Sequence, residues 1–367
     1  MDQNITRRRG VGTRGIDEKT VLDGYTVIAP LTGKKVYLVN NAGDNVHTWD
    51  LPYRVGRYAK ILSNGNLVVG MKDPEATAPF PFFNKYGGGV YMELTPEGKV
   101  VHELRDPLGH HDCFYEGDGH FFYAGLEVLT PEQQAALPGG VEGTEAPDGK
   151  VYADTIREVK DGKLVWEWRV SEHLDPKIFP LQAHYPREHW PLINGIYPLK
   201  DGNILASLRS VSAVIIIEKS TGKIIWHLDS TVVAQQHNAN ELPNGNILIF
   251  DNGAFRHRES FQWSRALEID RKTKEIVWQW HASPKETFFT PFMGSAQRLP
   301  NGNTLVCESA FGRVIEINTQ NEMCWEYVCP HFAVYPEPEA AGFYPVESNA
   351  LFRAYKYSKE QIPWLKK

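Results

Sequence analysis

The sequence predicts an all-β fold, a six-bladed β-propeller closed into a ring by its C-terminal strand, and three features carry that prediction. One phrase recurs five times: LSNGNLVV (62–69), EGDGHFFY (116–123), LKDGNILA (199–206), LPNGNILI (242–249) and LPNGNTLV (299–306). A second, a small apolar strand ending in or near an aromatic, recurs six times: GDNVHTW (43–49), GKVVHEL (98–104), DGKLVWEW (161–168), TGKIIWHL (221–228), TKEIVWQW (273–280) and QNEMCWEY (320–327). Between them lies a third strand, such as GGVYMEL, KVYADTI, SAVIIIE, SRALEID or GRVIEIN, with period-2 alternation and many β-branched residues. Short β-units joined by Asn-Gly or Gly-containing turns and repeated every 45–65 residues or so mark a radial repeat.

The units are out of phase with the termini. GYTVIAP, KKVYLVN and NVHTWD supply the second to fourth strands of a first blade that lacks its innermost strand. Five complete units follow, and ESNALFRAYKY (347–357) supplies a degenerate sixth copy of the NGN phrase. Laying that segment against the first blade closes the ring and hides its edges. The expected organisation is a flexible N-terminal tail over 1–20 and a single propeller domain over 21–367, since six blades of roughly sixty residues use the whole 367-residue chain.

A net charge of −6 argues against a nucleic-acid or anionic-membrane surface. The basic run RRRG (7–10) falls in the expected tail. No apolar h-region follows those N-terminal charges, and no segment approaches the length of a membrane span, so the expected location is cytoplasmic. Cys113, Cys307, Cys324 and Cys329 contain no C-x-x-C pair and are expected as buried free thiols.

Five connections are long for a scaffold: 70–88, 125–150, 170–192, 253–263 and 330–345. They are rich in Pro, Gly and aromatics (Phe80, Phe82, Phe83, Tyr86 and Trp190 among them), and are expected to share one face and wall a pocket over the channel. Counting eight residues back from each phrase glycine reaches Arg57, His111, Asn194, His237 and Gly294. Equivalent positions on innermost strands converge on the axis, so this register predicts a polar ring there, with Arg209 at its rim. Two histidines, an amide and an arginine at the axis suit a ligand site, because a buried polar group without a partner costs about 1–3 kcal/mol. Tyr58, Lys72, His110 and Trp190, with Arg57, complete the expected substrate-binding set.

With those phrases on the page, the chain resembles the bacterial arylsulfate sulfotransferase family, six-bladed and independent of PAPS. The resemblance runs from GYTVIAPLTGKKVYLVNNAGDNVHTW (24–49) through the HHD, DGNIL, SAV and QHN phrases to the last blade. It implies that His237 accepts a sulfuryl group from an aryl sulfate and passes it to a phenol. It also implies that His111 and Asn194 are active-site residues and that Arg209 binds the sulfate. Where the family carries a second histidine, two residues before its asparagine, this chain has Leu192.

In that reading His111 protonates the departing phenolate while Arg209 and Asn194 hold the sulfuryl oxygens. A second reading keeps the pocket for a cytosolic lyase, hydratase or hydrolase of an aromatic or carboxylate catabolite, with His111 and His237 as acid and base and Arg209 as anchor. A third, a metal site drawn from His110, His111, Asp112, His120 and His237, lacks ligands, because adjacent His110 and His111 on a regular strand face opposite sides. A fourth is a non-catalytic interaction propeller. The expectation is a small aromatic or anionic substrate, no metal, no cofactor, no nucleic acid and no membrane, with homo-oligomer formation left open.

Overall fold

The structure, a computed structural model, describes residues 10–343 and 346–365. Six antiparallel sheets form the blades. Each is given from the axis outward. Blade 1 is Tyr355–Ser358, Gly24–Ile28, Lys35–Asn40 and Asn45–Asp50. Blade 2 is Val55–Ile61, Leu67–Lys72, Gly89–Leu94 and Val100–Arg105; blade 3 is His110–Gly117, His120–Val128, Tyr152–Lys160 and Lys163–Arg169. Blade 4 is Ile193–Pro198, Ile204–Leu208, Ala213–Ile217 and Ile224–Leu228; blade 5 is His237–Glu241, Ile247–Asp251, Arg265–Ile269 and Ile276–Trp280. Blade 6 is Ser295–Arg298, Thr304–Glu308, Arg313–Ile317 and Met323–Val328. No helix among the described residues is long and apolar enough to cross a membrane.

The two recurring phrases do different physical jobs. NGN makes the turn between the first and second strands of a blade. In LPNGNILI, Gly245 adopts φ +86°, which a side chain would resist, and Asn244 accepts the Asn246 N–H on its own Oδ1 at 3.0 Å. The amides of Asn244 and Asn246 then reach Glu268 on the third strand at 3.1 and 2.8 Å. The aromatic of the second phrase latches one blade to the next. Indole N–H groups donate from Trp49 to Thr95 O, from Trp166 to Lys219 O, from Trp226 to Arg271 O and from Trp278 to Asn321 Oδ1. Trp325 donates to Asn41 O at 2.8 Å, carrying the pattern from blade 6 back to blade 1. The cores lie between blades, and one of them joins Leu38 and Trp49 of blade 1 to Val69 and Met92 of blade 2.

Closure is as expected: Tyr355–Ser358 pairs antiparallel with Gly24–Ile28 as the innermost strand of blade 1. It stands where a strand leading into an NGN turn would stand, so it replaces that strand rather than copying the turn. The expected tail differs. Gly12–Ile16 pairs with Met323–Val328 as a fifth, outermost strand of blade 6, covering an edge whose N–H and C=O groups would otherwise be unpaired. The basic run at 7–9 lies outside the described residues. All four cysteines are buried and free, and burial pushes the Cys307 and Cys329 thiols up to about 12.

Candidate functional site

Several of the long connections meet on the face where the innermost strands begin. The 70–88 loop contributes the short helix Phe83–Tyr86, whose Tyr86 ring lies 4.4 Å from His111, and Phe80 packs on Tyr152 and His189. The 170–192 and 253–263 loops touch where His184 stacks on Phe255 at 3.8 Å. Lys72 Nζ holds this helix by donating to the backbone O and Oδ1 of Asn84, so it positions the loop instead of facing the channel.

Four innermost strands are irregular at their starts, and this decides where side chains point. Pairing skips between Val55 and Ala59, between His110 and Cys113, at Asn194, and between His237 and Asn240. These are bulges, which re-aim side chains. His111 sits in one at φ +48°, left-handed backbone that a non-glycine residue holds at a cost of about 1–3 kcal/mol. Alternation is broken there. His110 and His111, expected on opposite faces, meet with their Nδ1 atoms 2.9 Å apart and their rings perpendicular.

His237 is buried, and its ring is oriented from both nitrogens. Asn252 donates to Thr290 O and Met293 O, which fixes its amide so that Oδ1 accepts the His237 Nδ1–H at 2.7 Å. The opposite nitrogen, Nε2, therefore carries the lone pair and accepts the Met293 N–H at 3.1 Å. Burial, then Arg209, holds this imidazole well below the usual histidine range, so it is neutral at pH 7. A neutral ring of fixed tautomer is the form a nucleophile needs.

Two guanidiniums, those of Arg209 and Arg353, act on this ring. Arg209 Nε is buried without a hydrogen bond, and no carboxylate pairs with this guanidinium among the described residues. Lys85, on the short helix, is brought down to about 7 by burial and by the charges of Arg209 and Arg57. The Arg57 guanidinium lies over the Phe352 ring, which also packs against His111 and His237 at 6.3 and 6.2 Å. Lys85 and Phe352 are site residues that register counting misses: one sits on a loop, the other in the irregular stretch before the closing strand.

Behind His111 lies a hydrogen-bonded cluster that the sequence did not reveal. Asp154 Oδ1 accepts from His189 Nε2 at 2.7 Å and lies 2.9 Å from His110 Nε2, whose N–H also reaches Gly125 O at 3.3 Å, and Oδ2 accepts from the Ile193 N–H at 2.8 Å. The Tyr86 hydroxyl meets His189 Nδ1 at 2.8 Å. Burial alone would raise the Asp154 carboxyl; His189 and His110 outweigh it and leave the group at about 2. His110, Asp154 and His189 offer ligand-type atoms within 4.8 Å of one another, and the two N···O separations to Asp154 Oδ1, 2.7 Å from His189 and 2.9 Å from His110, are of hydrogen-bond length. The arrangement is that of a shared carboxylate acceptor. His110 thus joins this cluster while also lining the small space beside Arg57 and His111.

Of the remaining expected residues, Arg57, His111 and His237 come together around Phe352. Asn194 instead donates Nδ2 to Gln236 O at 2.8 Å, bracing the QQHN segment across from blade 4 to blade 5. Trp190 is a packing residue whose indole donates to Phe179 O. Tyr58 packs near Tyr355 and stands between two spaces, lining both a cavity of about 450 Å³ farther along the axis and the space of about 10 Å³ beside Arg57 and His111. The larger cavity is lined by none of His111, Arg209 and His237, so its size says nothing of their chemistry. Leu192, at the position of the family's second histidine, is buried with φ +64° and accepts the Arg209 N–H on its carbonyl.

Comparison with known proteins places this site in context. The chain is similar to the arylsulfate sulfotransferase AssT of Escherichia coli O6:H1, 24% identical over 363 residues that take in 76% of this chain. It spans about 57% of that relative's length. A structure of a protein of unknown function from Bacteroides caccae shares the fold at TM-score 0.53 and 13% identity, covering 91% of this chain and 98% of its own. The family model described as arylsulfotransferase (ASST) matches residues 84–329, which hold blades 3, 4 and 5 whole, Lys85, Arg209 and His237. On that match, the chain belongs to the arylsulfotransferase family.

Proposed function

We propose that the protein transfers a sulfuryl group from an aryl sulfate to an acceptor hydroxyl, with His237 as the intermediate carrier. The observation that carries this reading is a neutral, oriented imidazole beside an arginine that has no carboxylate partner among the described residues. The half-buried guanidinium of Arg209 beside His237, with Lys85 and Arg57 near enough to act on one another, forms an anion-binding cup. Donor binding sets sulfur against Nε2, which gives up its hydrogen bond from Met293; the Nε2–S bond forms as the S–O bond to the aryl group breaks. Charge spreading over the sulfuryl oxygens is stabilised by the cations. Phe255, 58% exposed and stacked on His184, supplies a flat face for an aryl ring on the Arg209 side. Tyr86 lies against His111, so admission of the donor displaces the 70–88 loop.

The test is to incubate the protein with p-nitrophenyl sulfate and a phenol, following nitrophenolate release and a sulfuryl adduct on His237 by mass spectrometry. A burst of nitrophenolate without acceptor, followed by acceptor-dependent turnover, is the expected result. Release without an adduct, or steady release that ignores the acceptor, refutes the reading.

Two further outcomes follow from the cup. Arg209→Ala is expected to raise KM for the aryl sulfate about 10- to 100-fold with a smaller fall in kcat, since it holds the bound sulfate as well as the transition state. Lys85 is charged below its value of about 7 and neutral above it. KM for an anionic donor should therefore rise as pH increases through that value, and Lys85→Arg, which stays charged, should flatten the dependence.

A further inference from the structure

The Asp154 cluster determines the protonation pattern of three histidines. Asp154 is a buried carboxylate, an acceptor at both oxygens. His110 Nε2 faces Asp154 Oδ1 at 2.9 Å and Gly125 O at 3.3 Å, two acceptors, so that nitrogen bears the hydrogen. Burial, the largest influence on His110, keeps its ring toward the neutral form, which makes its Nδ1 an acceptor. The partner 2.9 Å from that atom is His111 Nδ1, which must then be the donor. His111 is also neutral, lowered by burial and by its cationic and histidine neighbours, and the lone pair falls on its Nε2. On the other side of the carboxylate, His189 donates Nε2–H to Asp154 while its Nδ1 meets the Tyr86 hydroxyl at 2.8 Å.

We infer that Asp154, acting through His110, is a positioning residue that makes His111 Nε2 the base for the acceptor hydroxyl. This rests on the sulfuryl-transfer reading above. The acceptor O–H bond breaks and its proton goes to His111 Nε2. The hydroxyl oxygen bonds to sulfur as the S–N bond to His237 breaks, and that electron pair returns to His237 Nε2. The positive charge on His111 is relayed through the Nδ1–H to His110 and compensated by Asp154, two rings away. The left-handed backbone at His111 has a use here: without the bulge the two imidazoles would face opposite ways and the chain of hydrogen bonds would be cut. The groups facing His111 are Arg57 from blade 2, Tyr86 from the short helix, His237 from blade 5, His189, His110 and the apolar Phe352. Asp154 is the carboxylate in contact with His110 and His189, and Glu188 acts on His189 and Tyr86 only through its charge, which is why removal of Asp154 should be felt at His111.

The experiment combines ¹⁵N-histidine NMR of the free protein with half-reaction kinetics. In the native protein His111 should show a protonated Nδ1 and an unprotonated Nε2. In Asp154→Asn that tautomer should be lost or mixed, and acceptor-dependent turnover should fall about 100-fold while the nitrophenolate burst persists. If Asp154→Asn fails to fold, the His110 pair decides: His110→Gln keeps a donor to Asp154 and an acceptor for His111 and should retain the tautomer and much of the turnover, whereas His110→Leu should lose both. A native His111 protonated on Nε2 overturns the inference, as does a His111 tautomer unchanged in both Asp154→Asn and His110→Leu. The tautomer is read without substrate, so it judges the relay alone, and absence of an adduct on His237 judges the transfer chemistry alone.

Discussion

Replacing His237 by alanine or asparagine is expected to remove sulfuryl transfer, with a fall on the order of a thousandfold or more, while the propeller stays folded. The size follows from the role: no other described group near Phe352 combines a neutral nucleophilic nitrogen with two-sided orientation by Asn252 and Met293. Truncation leaves Asn252 Oδ1 and the Met293 N–H without their partner, at about 1–3 kcal/mol each and less where water enters the vacated space. Against the 5–15 kcal/mol typical of a domain, that loss leaves the protein folded. The check is kcat together with a melting curve for each variant. Near-normal turnover in His237→Ala would end the covalent assignment, and unfolding of both variants would show instead that the residue is needed for packing. Asn252→Ala should reproduce much of the loss, because it releases the tautomer that places the lone pair on Nε2.

Deleting the residues after 345 should leave a protein that aggregates or does not fold. The closing strand carries more than its ladder with Gly24–Ile28. Arg353 pairs with buried Asp112 at 2.7 Å, and Lys356 with buried Glu316 at 2.7 Å. Removing one partner of a buried pair costs about 3–5 kcal/mol. Two such losses approach the whole stability of a domain, before counting buried Phe352 or the Tyr357 hydroxyl bonded to the Ile61 N–H. The deletion also bares the inner edge of blade 1 to other chains. Light scattering and solubility of the truncated protein read this directly, and a soluble monomer with an unchanged melting temperature would refute the closure argument.

The contrast between blade architecture and site follows from how far apart the deciding residues are. NGN turns, alternating strands and the outer tryptophans act within a few residues or from one repeat to the next, so their pattern states blade number and closure; the latch from Trp325 to Asn41 is the same device that joins blades 4 and 5 through Trp226. Arg57, His111 and His237 were legible for the same reason, as equivalent positions of a repeat. Strand Gly12–Ile16 was not, since the short GTRGI gains its ladder only from the edge of blade 6. Nor was the fate of Asn194, Tyr58, Lys72 and Trp190, because bulges and loop contacts redirect side chains that a regular register would send to the axis. The cluster of Tyr86, His110, Asp154 and His189 joins residues up to 103 positions apart on a short helix and three strands, the last of them the two-residue strand His189–Trp190. The sequence by itself determined a closed six-bladed ring with histidines and arginines at its axis. Tertiary structure alone decided which nitrogen of each histidine is free, because that depends on a carboxylate and carbonyls delivered by distant segments.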